Sequence, residues 1–378
     1  MYIFSKETNS VVTDNFSEVY PFINHALMVK DESIESRNGL VKEFLAFKTQ
    51  LTNPYKRLTG CLERDSNVFF LIAEAIWIFT GRCDVAFLDI FNSRMKNYSD
   101  DGVVFHAPYG WRIRKQGLAS FIPNESNKHQ LADGIDQLYL AIKMLDKDNT
   151  DRRAVLQIWN AELDLDKQSK DLPCNDFVFL KVRDGKLTTS IANRSNDLHW
   201  GLTTNIFQFS YLSEMISICL DIPLGLQTHN SDSLHVYLNG KEGWEILTNL
   251  TIKNNNFKNL YDYSTYREID FRKFVVDETP LSKLTQLSNI QSKIIRNILE
   301  DKYQSDTDFS LGLFDKSRVL WFYYKLLGIY CDYKKKKPTN QARIEAIREI
   351  LNTQEIAFET RSEECFKYDI CFMALNFF

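Results

Sequence analysis

Long apolar runs are missing from this sequence, and none approaches the length that a membrane-spanning helix needs. The first residues, Met1 to Glu7, have neither the basic nor the apolar region of a secretory signal, so a cytoplasmic protein is expected. A surplus of positive charge is missing as well. With a net charge of −4 there is no reason to expect a nucleic acid polymer as partner, although local basic clusters can still hold single phosphates. The seven cysteines, Cys61, Cys83, Cys174, Cys219, Cys331, Cys365 and Cys371, form no Cys-x-x-Cys pair, and no histidine is spaced as a metal partner. This argues against a structural zinc and for reduced thiols, the surroundings a nucleophilic thiol requires. Internal repeats and low-complexity tracts are absent.

The composition that remains, 44% hydrophobic and 25% charged over 378 residues, is that of a globular chain able to bury a substantial core. Its chemistry is densest between Asp171 and Asn205. Leu172-Pro173-Cys174-Asn175 opens that stretch, and two alternating strand-like runs follow, Asp176–Val182 and Lys186–Ala192, hinged at Asp184-Gly185 as a two-residue hairpin. Arg194-Ser195-Asn196-Asp197 and Asn205 close it. A thiol, an arginine, a carboxylate and an amide are thereby gathered by one hairpin. Read alone, Cys174 is equally a small buried hydrophobe.

Upstream, Ser36-Arg37-Asn38-Gly39 leads into the alternating run Leu40–Leu51, which predicts a strand entered through a tight loop carrying Arg37. Asp65-Ser66 is the expected cap of a helix over Val68–Phe79, stopped by Gly81. Glu74 is the one charged residue of that helix; it marks either a wet edge or a buried carboxylate of the kind that clusters at active sites. His106 to Arg112, containing Tyr109-Gly110, reads as an aromatic and basic loop suited to stacking, to anion contact or to plain turn packing. Asp151-Arg152-Arg153 precedes a strand over Ala154–Trp159; its arginines are either solvated or part of a dianion site.

Ile206–Leu220 has helical spacing with Glu214 on the polar side. In Ser233–Tyr237 the alternation sets His235 and Tyr237 on one face of a strand. Composition turns polar near Asn254, which divides the chain into a catalytic domain over 1–254 and a mainly helical C-terminal extension over 255–378. Within the extension, Leu281–Leu299, Ser317–Cys331 and Gln341–Leu351 have helical periodicity, and Lys334–Lys337 is read as a solvated loop. Periodicity alone establishes no more than a mixed helix and strand protein.

Taken in order, these segments resemble the thymidylate synthase and deoxycytidylate hydroxymethylase superfamily over roughly residues 20–250. The resemblance rests on Ala73-Glu74-Ala75-Ile76-Trp77-Ile78-Phe79-Thr80-Gly81, Tyr109-Gly110, Asp151-Arg152-Arg153, Leu172-Pro173-Cys174, Arg194-Ser195-x-Asp197, Asn205 and His235-x-Tyr237. It implies an α/β fold of the α+β kind, in which a large, mostly antiparallel sheet packs against its twin in a homodimer. It also implies one-carbon transfer from 5,10-methylenetetrahydrofolate to C5 of a pyrimidine nucleotide, with no metal. Cys174 would be the thiolate that adds to C6, helped by nearby arginines. Arg37, Arg194 and Ser195 would hold the phosphate, joined by Arg152 and Arg153 of the partner subunit. Glu74 would handle protons near O4 and the folate nitrogen, Tyr109 would lie near the C5 proton, and Asp197 would hold the pterin. His235 and Tyr237 would hold the ribose 3′-hydroxyl. Asn205 would read uracil, where cytosine-using relatives have Asp, so dUMP is expected over dCMP.

Some positions depart from the synthase pattern. Asn175 stands where synthases have His after the nucleophile, and Arg194-Ser195-Asn196-Asp197 is closer to phage hydroxymethylases. The tryptophan beyond the glutamate helix has no counterpart in Arg94–Tyr98, and the chain does not finish in a short apolar tail. All bear on whether water or hydride completes the reaction, and they tilt the expectation to hydroxymethylation of dUMP over synthesis of dTMP. A ribonucleotide (UMP or CMP) hydroxymethylase and a catalytically retired nucleotide-binding protein remain as further readings.

Overall fold

The computed structural model describes residues 2–5, 8–59, 66–115, 134–238, 279–303 and 318–337, with 339, 341–342 and 345–347 beyond them. In chain order the elements are β1 (Tyr2–Ser5), β2 (Ser10–Thr13), α1 (Phe16–Met28), β3 (Ile34–Ser36), β4 (Gly39–Leu51), α2 (Val68–Phe79), α3 (Val85–Phe91), α4 (Tyr109–Arg114), α5 (Gln137–Lys147), β5 (Val155–Gln157) and α6 (Ala161–Asp164). They continue with β6 (Asn175–Arg183), β7 (Lys186–Asn193), β8 (Asn196–Asp197), α7 (Thr203–Leu220), β9 (Leu224–Tyr237), α8 (Pro280–Leu299) and α9 (Arg318–Lys336). One sheet unites the strands in the order β1-β2-β4-β9-β7-β6-β5, with β3 added to β4 and β8 to β9. It is a mixed sheet: β2 with β4, β7 with β9 and β8 with β9 run parallel, and the other pairs antiparallel. The mixed α/β class expected from the sequence is therefore observed.

Local chemistry accounts for the main elements. Asp184 and Gly185 both have positive φ, 51° and 68°, which is the backbone a twist-matched two-residue hairpin demands, and Arg183 pairs with Lys186 across it. β4 follows the hairpin turn at Arg37-Asn38, as its alternation predicted. The cap of α2 lies further along than expected. Asn67, not Asp65-Ser66, accepts from the Phe70 N–H at 3.0 Å, because from there its side chain reaches an N–H otherwise left without a helical partner. Gly81, at φ 68°, ends the helix.

Helix α7 runs through the middle of the protein, and nearly every side chain on it is buried. Helices α2, α5, α8 and α9 surround it in one apolar cluster that includes Phe69, Ile76, Leu145, Phe207, Ile216, Ile294 and Tyr323. Glu214 consequently does not face water as its spacing suggested. It is buried against Arg57 at 2.5 Å, because α7 is covered on all sides. α1 packs on the sheet over a second cluster containing Phe16, Tyr20, Phe47, Leu51 and Leu202.

Two further expectations change. His106–Arg112 is not wholly a loop, since α4 begins at Tyr109, and Arg112 is buried between Asp164 and the His106 carbonyl, which occupies its guanidinium internally. Lys334, Lys335 and Lys336 form the last turn of α9, where cations meet the negative end of the helix dipole, rather than a loop. The proposed boundary at Asn254, most of Gln341–Leu351, and Cys61, Cys365 and Cys371 lie outside the described residues. Among the described residues Cys83, Cys174, Cys219 and Cys331 are free thiols, and no helix is long and apolar enough to cross a membrane.

Candidate active site

The segment between α6 and β6 delivers Cys174 immediately before the first residue of β6. Arg194, at the end of β7, lies directly beside it: the Arg194 N–H donates to the Cys174 carbonyl at 3.1 Å, and Nη2 stands 3.8 Å from Sγ. Its Nε donates to the Pro173 carbonyl at 2.8 Å, and its guanidinium lies over the Trp159 ring. The hairpin thus brings together the thiol and the arginine that the sequence placed on it.

These arginines do not dominate the thiol's ionisation. Burial pushes the Cys174 pKa up, and Asp171 and Asp176 add to the rise, while Arg194 and the more weakly felt Arg37 pull it down. The expected pull of the arginines on the thiol is present, but desolvation outweighs it.

Glu74, on α2, joins this site through the charge of Asp171. Gln208 of α7 donates its side-chain amide to the Glu74 carboxylate. Burial, moderated by that hydrogen bond and reinforced by Asp171, pushes the Glu74 carboxyl up to about 8, so it is largely protonated at neutral pH. Tyr109, at the first turn of α4, is half-buried, and its phenol is shifted upward by desolvation and by Cys174 and Asp171, while the Asn175 side chain and Cys174 backbone hydrogen-bond to it.

Asp171 therefore touches the electrostatics of Cys174, Glu74 and Tyr109 together. Its own carboxyl is raised by burial, and one oxygen accepts from the Ala107 N–H at 2.8 Å. Sequence reasoning treated it only as the edge of the stretch. Gln208 was missed as well, although its spacing three residues after Asn205 on one helix was a usable signal.

Asn205 lies in the first turn of α7 within a chain of buried amides. Asn175 Nδ2 donates to its Oδ1 at 3.3 Å, and its own Nδ2 donates to Asn196 Oδ1 at 3.2 Å. Next along, the Asp197 carboxylate accepts from the N–H groups of His199 (2.6 Å) and Trp200 (2.7 Å), which fixes the turn leading into α7. Ser195 is half-buried between them and Arg194.

At the far end of β9, His235 and Tyr237 share a face with ring centroids 5.1 Å apart, as their alternation predicted. Asn38, beside Arg37 in the β3–β4 turn, donates to the Tyr237 hydroxyl at 3.4 Å. Arg152 and Arg153 are exposed at the entry to β5, where Asp151 engages Arg153 at 2.6 Å.

A cavity of about 420 Å³ opens beside Arg194, lined also by Asp176, Asn193, Ser231 and Asp232, but not by Cys174. Burial and the Asp232 charge lift the Asp176 carboxyl to about 6. Two carboxylates make this cavity a poor phosphate site, so the thiol and its surroundings mark the candidate active site instead. No group of three or more His, Cys, Asp or Glu suited to a metal occurs among the described residues.

The sequence pattern of the family described as thymidylate synthase matches residues 41–294, more than half of the chain and the whole of the site just described apart from Arg37 and Asn38. The chain belongs to the thymidylate synthase family. Among curated family relatives, it is 37% identical over 224 residues to a deoxyuridylate hydroxymethyltransferase of Bacillus phage SP01, covering 59% of this chain and 57% of the relative. A protein of the same name from Pseudomonas phage M6 is 35% identical over 230 residues, 60% of this chain and 61% of that protein. Similarity to a thymidylate synthase of Ascaris suum is lower, 25% over 203 residues, covering 54% of this chain and 66% of the relative. The match thus spans less than two thirds of the length of these relatives.

Proposed function

We propose that this chain is a one-carbon transferase that hydroxymethylates dUMP at C5. The observation that carries the reading is the convergence of Cys174, Glu74 and Tyr109 around Asp171, in a chain more similar to proteins named for deoxyuridylate hydroxymethyl transfer than to the Ascaris synthase. Cys174 Sγ bonds to C6 of the pyrimidine, and the electron pair displaced to C5 makes that carbon a nucleophile. 5,10-Methylenetetrahydrofolate supplies the one-carbon unit as cosubstrate. Glu74, carrying a proton at neutral pH, donates near O4 and the departing nitrogen. Loss of the C5 proton beside Tyr109 expels the folate nitrogen and leaves an exocyclic methylene at C5 while Cys174 is still bonded to C6. Water adds to the methylene, and the C6–Sγ bond then breaks to restore the C5–C6 double bond. The balance is dUMP, the methylene carrier and water giving 5-hydroxymethyl-dUMP and tetrahydrofolate.

For the nucleotide, Arg194, Ser195 and Arg37 are assigned to the phosphate, with Arg152 and Arg153 of the partner subunit. His235 and Tyr237 are assigned to the 3′-hydroxyl, and Asn205 to the uracil edge. Asp197 fits a pterin's N–H donors, since its carboxylate is already held rigid by two backbone N–H groups. The homodimer would form through the sheet face carrying Phe177, Phe179, Ala192 and Leu226, where the two phenylalanine rings lie 6.2 Å apart and partly open to solvent, and Leu226 is 39% exposed.

The second reading, synthesis of dTMP with hydride from tetrahydrofolate, is favoured by the family match itself. One assay separates the two. The protein is incubated with dUMP, dCMP, UMP or CMP plus methylenetetrahydrofolate, and product mass is measured. The expected product is dUMP plus the mass of CH2O, with tetrahydrofolate released. Addition of CH2 with dihydrofolate formed would establish the synthase reading, and no product from any nucleotide would defeat both.

A further inference from the structure

Five buried polar side chains form a single donor–acceptor chain through the site. Asn193 Nδ2 donates to Asn175 Oδ1, and Asn175 Nδ2 donates to Asn205 Oδ1 at 3.3 Å. Asn205 Nδ2 donates to Asn196 Oδ1 at 3.2 Å, and Asn196 Nδ2 donates to Ser231 Oγ at 3.1 Å. Each member is 6% exposed or less. Every link points the same way, so no amide can turn alone without setting two donors or two acceptors against each other in a buried place.

Two local features hold the chain in line. A β-bulge between Asn175 and Phe177 shifts the β6–β7 register, so that Asn175, rather than the charged Asp176, lies opposite Asn193. Gly201 leaves room for the Asn196 amide: a Cβ there would come within 2.6 Å of Asn196 Oδ1.

The geometry points to Asn175 and Asn196 as positioning residues that set the direction of the Asn205 amide and thereby select uracil over cytosine. This rests on the reading of the chain as a dUMP-binding enzyme. In the observed direction, the Asn205 oxygen lies toward Asn175 and its NH2 toward Asn196. The amide has one acceptor lone pair and one N–H left for a base, matching uracil's N3–H donor and O4 acceptor. Cytosine presents the reverse, a bare N3 and an NH2 at C4. Turned end for end, the same asparagine would suit cytosine. The direction of the chain, not the identity of Asn205 alone, then decides the base.

Two isosteric variants test this with equal charge. Asn175→Asp can only accept, so it forces Asn205 to turn its NH2 toward position 175. Asn196→Asp can also only accept, but it already receives the Asn205 N–H, and Ser231 can donate to its other oxygen. Binding of dUMP and dCMP to the purified full chain is measured by calorimetry as a ratio of Kd values, so that a fraction of inactive protein cancels. The expected result is that Asn175→Asp lowers the preference for dUMP at least about tenfold, while Asn196→Asp holds it within a factor of about three. Should Asn175→Asp fail to fold, Asn175→Ala removes the donor without adding charge and is expected to lower the same ratio.

An unchanged ratio in the folded position-175 variants, or an equal fall in Asn196→Asp, overturns the inference while leaving dUMP binding by the unsubstituted protein intact. Failure of the unsubstituted protein to bind dUMP overturns the functional reading and this inference with it.

Discussion

Gln208 of α7 donates a hydrogen bond to the Glu74 carboxylate of α2, tying the charged residue of one buried helix to the helix that also carries Asn205. That contact only partly offsets burial, and the Glu74 carboxyl remains raised to about 8. Its consequences are open to measurement.

Glu74→Gln removes the exchangeable proton while keeping the shape. With Glu74 as general acid, turnover is expected to fall by about 10²–10⁴-fold. In the unsubstituted protein kcat should decline as pH rises through about 8, where Glu74 loses its proton, and this limb should vanish in the variant. Stability follows the same sign. A carboxyl raised from 4.5 to about 8 contributes fully below 4.5, and the contribution erodes as pH climbs through 8. Urea midpoints at pH 5 and pH 9 should therefore show Glu74→Gln gaining on the unsubstituted protein at the higher pH, by on the order of 1–3 kcal/mol.

Cys174→Ser should abolish turnover by ~10³-fold or more while retaining dUMP binding, since a hydroxyl is a far weaker nucleophile in the same position. Burial already raises the Cys174 pKa against the pull of Arg194. Removing that cation in Arg194→Ala should raise it further, and alkylation by iodoacetamide at pH 8 should slow several-fold. Faster alkylation would show that access, not charge, governs the thiol.

Arg57 and Glu214 form an ion pair whose side chains are each 1% exposed. Arg57→Leu strands a carboxylate in the interior of α7's packing, and the expected loss of stability is about 3–5 kcal/mol by chemical denaturation. The double variant Arg57→Leu with Glu214→Leu should recover much of that loss, because both charges are then gone.

A Cβ at Gly110 would overlap the backbone carbonyl of Ile78, so α4 approaches α2 closely only because this residue is glycine. Gly110→Ala is expected to cost about 1–3 kcal/mol, as overpacked sites do. It should also lower kcat by displacing Tyr109 next to it. A variant with native stability and native turnover would remove Gly110 from any role in positioning the tyrosine.

Much of the frame was legible in the sequence because its signals are local. The Asp184-Gly185 turn, the alternation of Leu40–Leu51, the apolar run of α2 and the shared face of His235 and Tyr237 each depend on backbone geometry within a few residues. The order of the motifs around Cys174 was enough to indicate the family, which the match over residues 41–294 establishes.

What only the tertiary structure decided involves partners far apart in the chain or faces that periodicity cannot assign. Glu214 carries the spacing of a solvent-facing residue, yet α7 is enclosed and its partner Arg57 precedes it by 157 positions. Asp171 gains its influence only because α2 and α4 fold over it. The alignment of Asn193, Asn175, Asn205 and Asn196 hangs on a bulge that shifts one strand register by a residue. A sequence reports which side chains are available and how the chain bends locally; burial, and the direction in which buried donors and acceptors must then run, exist only once distant segments exclude water together.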